Sequence, residues 1–146
     1  MKNLLTIAML FISINILAQD YELYKCTQAS VRNVESDKWK TSETSILIRL
    51  NVKENMVEFG NKSNTIIYLT GVISKETKMD DEGDEYIKII FKAYDETGKR
   101  CNFISYDYTE LPARNFLISY SDYEFHYSCV FISTKKETDE KNNQIL

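Results

Sequence analysis

Only one histidine, one proline and four glycines occur among the 146 residues, and each scarcity removes a class of chemistry. A lone imidazole, His126, excludes sites built on two or more, which covers most catalytic zinc centres. Phosphate-cradling glycine loops, the Gly-x-Ser-x-Gly turn and paired cysteine knuckles are all absent. Positive charge is also short, with 18 Lys and Arg against 22 Asp and Glu. Such a surface offers no field for a phosphate backbone, so no nucleic-acid partner is expected.

No apolar run is long enough to span a bilayer, which takes about 20 residues. The run from Leu4 to Leu17 is broken by Ser13 and Asn15, and polar Gln19 and Asp20 follow directly. With Lys2 ahead of it and Ala18 behind it, residues 1–18 read as a secretory signal peptide. A lipid-anchored export signal would put a cysteine at the cut, and the first cysteine here is Cys26. The expectation is a soluble exported protein, periplasmic or extracellular, with no membrane span in the mature chain. Cleavage removes one lysine and no acid, moving the net charge from −4 to −5.

What the chain does have is aromatic and strand-forming: ten tyrosines, seven phenylalanines and 43% hydrophobic residues. After residue 20 the dominant period is two, the mark of strands with one buried face. In Thr44 to Val52, for example, Ile46, Ile48, Leu50 and Val52 alternate with Ser45, Arg49 and Asn51. Similar runs cover Tyr21 to Val34, Met56 to Gly60, Thr65 to Ser74, Tyr86 to Tyr94, Lys99 to Tyr108, Phe116 to Tyr120 and Tyr123 to Ser133. Gly71 suggests a bulge or bend. Helical spacing is nowhere sustained. The pattern predicts an all-β domain over 19–133, a single antiparallel meander of about eight strands, with a flexible polar tail over 134–146. Closure into a small barrel-like form would remove exposed sheet edges, whereas the shortage of glycine for sharp corners favours the alternative, a β-sandwich.

Few residues carry candidate chemistry. Tyr106, Tyr108 and Tyr120, with Tyr123 and Tyr127, crowd the last third, where aromatic faces would stack on a sugar or a peptide. Tyr123 and Tyr127 share the apolar parity of the last strand and are expected in the core, leaving Tyr106, Tyr108 and Tyr120 as ligand-binding candidates. His126 and Cys129 lie three apart on one strand, so their side chains should take opposite faces and form no dyad. The acidic loop Asp80-Asp81-Glu82-Gly83-Asp84 lacks the helix flanks of a calcium loop and reads as a solvated hairpin turn. Trp39, ahead of the strongest strand, is expected to cap one end of the barrel. No metal or cofactor is expected.

Three cysteines allow one internal disulfide. In an eight-strand up-and-down barrel the first and last strands are antiparallel neighbours, which sets Cys26 across from Cys129 and leaves Cys101 elsewhere. A bond there would close a loop of roughly one hundred residues, stabilising by about 4 to 5 kcal/mol on the chain-entropy view. The parity of Cys26, opposite to that of Leu23 and Val31, requires a bulge for the thiol to face inward.

The functional expectation is a non-enzymatic binding or interaction module for a small ligand, glycan or protein. The alternatives are an envelope structural or assembly protein and a hydrolase using carboxylates such as Glu58, Asp95 and Asp107. Because Ala18 is the small residue ending the apolar run, the mature chain should begin at Gln19. N-terminal sequencing of exported protein checks this, and intact Met1 in a membrane fraction would show an anchor instead.

Overall fold

Alternation of apolar and polar residues commits this chain to strands, since only a pleat sends successive side chains to opposite faces. A computed structural model describes residues 20–136; the signal peptide expected at 1–18 and the tail residues 137–146 lie outside the described residues. Eight strands follow in order: β1 (Asp20–Asn33), β2 (Lys40–Asn51), β3 (Met56–Phe59), β4 (Thr65–Met79), β5 (Glu85–Asp95), β6 (Arg100–Tyr108), β7 (Ala113–Ser119) and β8 (Tyr123–Lys136). Each pairs antiparallel with its sequence neighbour, and β1 also pairs antiparallel with β8, so a single sheet closes on itself in a barrel-like ring. That closure decides against the sandwich. No helix among the described residues is long and apolar enough to cross a membrane.

Several strands run further than their alternation reveals, with β7 starting at Ala113 and not Phe116. β2 starts at Lys40, with Lys40 and Thr41 paired to Val31 and Ser30. β4 continues to Met79, where Lys75 to Met79 pair with Ile89 to Glu85. β8 continues past Ser133 to Lys136, so 134–136 belong to the sheet, paired with Asp20 to Glu22, and not to the tail. Lys40, Thr41, Lys75 to Met79 and Thr134 are exposed, and backbone pairing keeps these segments extended.

The inward-facing set fills the ring. Phe59, Phe103 and Phe116 are each at most 1% exposed, and Ile48, Val57, Ile67 and Ile118 are buried around them. Phe116 stacks on Phe103 at 5.4 Å and meets the edge of Tyr24 at 5.3 Å, while Phe59 packs on Tyr127 at 4.8 Å. Rings in such offset and edge contacts add to simple burial. Tyr127 is therefore core as expected, but Tyr123 is 43% exposed, because β8 begins there beside the Ser121-Asp122 turn and overshoots the packed interior.

Bulges and turns set the register. The β1 register shifts between Cys26 and Gln28, so that Tyr24 and Cys26 before it and Ala29 after it all reach the core. Two shifts in β4, between Leu69 and Gly71 and between Val72 and Ser74, bend the strand as Gly71 suggested. The β5–β6 turn is held by Asp95, whose Oδ1 accepts from the Thr97 and Lys99 amides, and it needs the positive φ of Gly98.

Since Phe116 touches both Tyr24 and Phe103, truncating it would open a cavity that the ring cannot collapse to fill. Phe116→Ala should cost about 3–5 kcal/mol, read as a lower urea midpoint with an unchanged m-value.

Candidate functional site

Charge enters the ring at one end. Arg114 shares the inward parity of Phe116 and Ile118, Asp107 that of Phe103 and Ser105, and Glu22 that of Tyr24 and Cys26. Their side chains converge. Arg114 Nη1 donates to Glu22 Oε2 at 2.7 Å and to the Tyr24 hydroxyl, and Nη2 donates to Asp107 Oδ2 at 2.8 Å. The Tyr24 hydroxyl in turn donates to Glu22 Oε2 at 2.5 Å. Burial, then the bond to Glu22, pushes the Tyr24 phenol well up, so it stays protonated and serves as a donor. Burial opposes the charge on Arg114, but the carboxylates of Asp107 and Glu22 favour it, and its pKa is raised.

Only Arg114 Nε in this cluster is buried without a hydrogen-bond partner. Leu111, Pro112 and Phe131 complete a depression of about 250 Å³ around the group. Two carboxylates and a phenol take three of the five guanidinium N–H donors, and Nε is left without a partner. Chemically the cluster is a polar plug on an apolar interior. The sequence did not single out Glu22 or Arg114; the signal available was a charged residue at the apolar parity of its strand.

The tyrosine candidates separate. Tyr106 and Tyr108 take the outer parity of β6 and gather with Tyr86 of β5, at ring distances of 5.9 and 5.5 Å, with Lys88 Nζ 5.7 Å from the Tyr106 ring. Tyr120 is not part of that face. It packs against the core and donates to Asp95 Oδ2 at 3.0 Å, beneath the Lys99 ammonium at 4.8 Å. Burial and the Asp95 bond raise its pKa. Parity explains the split, since Tyr120 continues the inward series Phe116 and Ile118.

A groove of about 540 Å³ lies on the outer wall where β1 to β4 meet. Leu23, Leu47 and Ile66 give it apolar sides, and Arg49 and Glu58, 3.4 Å apart, give it an ion pair. The backbone is tight here: Gly60 N donates to the Leu47 carbonyl at 2.8 Å, and a Cβ on Gly60 would sit 3.1 Å from that oxygen. Periodicity alone did not point to this groove, because outward Leu23 and Leu47 look like ordinary strand residues.

The remaining candidates fall apart spatially. Glu58 is on the outer wall with Arg49, Asp95 holds a turn and Tyr120, and Asp107 holds Arg114 in the opposite plug. The structure therefore does not bring the three carboxylates together. In the acidic loop Asp80 Oδ1 accepts from the Glu82 and Asp84 amides, and Gly83 takes positive φ, so the carboxylate shapes the turn. Among the described residues no group of three or more His, Cys, Asp or Glu is placed to hold a metal.

His126 and Cys129 take opposite faces. Cys129 is core; His126 is half-buried on the outer wall, where desolvation lowers its pKa. Trp39 does not cap the ring. It lies against that wall, 6.2 Å from the His126 ring and 4.7 Å from the Arg32 guanidinium carbon, because Arg32 and His126 point outward from β1 and β8. No protein-family model matches this chain, and comparisons with curated proteins and with solved structures found no significant match.

Removing the Arg114 guanidinium would leave the partly exposed carboxylates of Glu22 and Asp107 without the cation they share. Arg114→Met should destabilise the fold by about 2–4 kcal/mol. Arg114→Lys should recover only part of this, because one ammonium cannot span partners held by two separate guanidinium nitrogens. Urea denaturation of both variants measures the difference.

Proposed function

We propose that this chain is an exported, non-enzymatic binding or interaction module that meets its small ligand, glycan or protein partner on the outer wall of the closed sheet. The observation that carries this reading is the filled interior. Phe59, Phe103 and Phe116 occupy the space in which a hollow barrel would hold a ligand. Recessed apolar surface is found outside, in the groove of Leu23, Leu47 and Ile66, with Arg49 and Glu58 to orient a polar group. Leu47 is 50% exposed, although it faces outward on a central part of its strand.

An assembly role is the second reading, and one feature of β4 favours it. β3 pairs only with Thr65 to Tyr68, so beyond Leu69 the described residues pair β4 with β5 alone. A strand edge of that kind can accept another chain, although the two bulges and Lys75, Glu76 and Lys78 blunt it.

Native mass spectrometry of the protein recovered from its own host tests the binding reading. The unaltered chain should retain a ligand or partner, and Leu47→Asp should lose it while keeping its β circular dichroism. Repeated recovery of the unaltered chain alone would overturn the proposal.

A further inference from the structure

We propose that Cys26 and Cys129 form a disulfide that fastens β1 to β8 when the chain folds in an oxidising compartment. The two are direct partners in the β1–β8 register. Facing residues on antiparallel strands have Cα atoms about 4.5–5.5 Å apart, within the span a disulfide bridges. Both side chains point into the core, Cys26 at 0% and Cys129 at 3% exposure. The β1 bulge makes this possible. It lies immediately after Cys26, whose thiol donates to the Gln28 carbonyl at 3.1 Å, and it lets the flanking parts of the strand share an inward face. All three cysteines stand as free thiols in this structure, so the pair is in its reduced form.

Cys101 is set apart. It lies on β6 opposite Ala93, and burial, then the nearby Asp95, pushes its thiol up to about 11. One thiolate of the pair attacks a sulfur of an external disulfide, small-molecule or enzyme-borne, and releases one thiol. The other thiolate then attacks the protein sulfur of the mixed disulfide and releases the second. Two protein thiols are oxidised and one external disulfide is reduced to two thiols. Because both sulfurs are buried in the closed ring, the exchange takes place while the β1–β8 seam is open.

The full chain, refolded with oxidised glutathione and alkylated under denaturing conditions, should give a Cys26–Cys129 linked peptide on non-reducing mapping, with Cys101 alkylated. Dithiothreitol should lower the melting midpoint by about 10 °C or more, and Cys26→Ser should abolish that response. Alkylation of all three cysteines, or any link that includes Cys101, would overturn the proposal. The peptide map of the unaltered chain decides even if the serine variant does not fold.

Discussion

Pairing of β1 with β8 is the constraint on which the rest of this structure depends. It runs from Asp20 opposite Lys136 to Asn33 opposite Tyr123 and turns an open meander into a ring. β8 brings Tyr127 onto Phe59 of β3 and Phe131 onto Tyr24 of β1. Without the seam these rings would face water on one side, and two strands would present unpaired backbone.

Filling the ring so completely has a functional counterpart. Large rings occupy the centre of the closed sheet, and the Arg114 cluster at one end is bound up largely in its own ion pairs. Surface character is then decided by outward-facing residues. These include the Tyr86, Tyr106 and Tyr108 cluster on β5 and β6 and the Leu23, Leu47 and Ile66 groove on β1 to β4. The two lie on different parts of the wall, one aromatic and the other apolar with an embedded ion pair.

Much of the fold was legible in the sequence because burial and parity are the same signal. Ile46, Ile48 and Leu50 share one parity and pack inward, whereas Val52 of the same parity lies past the end of β2 and is exposed. Eight strands, their hairpin order and the placement of Cys26 opposite Cys129 follow from that period and from the shortness of the links. What parity could not supply was anything decided by backbone pairing alone, such as the ends of β4 and β8. Nor could it show where charged residues at inward positions meet: Asp107 and Arg114 face each other across the β6–β7 hairpin, but Glu22 is distant in sequence and joins them only after closure. Tyr120 was grouped with Tyr106 because composition counts tyrosines without recording which side of the sheet they face.

The seam also orders events in time. Each other neighbouring pair is a hairpin with a short loop, and such local contacts form in microseconds. β1 and β8 instead meet across almost the whole chain, and the entropy of that closure must be met in one step, as for other topologies rich in distant contacts. A nascent chain lacking β8 holds a sheet with two bare edges. It cannot complete its core until the residues through Lys136 have been released from whatever machinery makes or transports them.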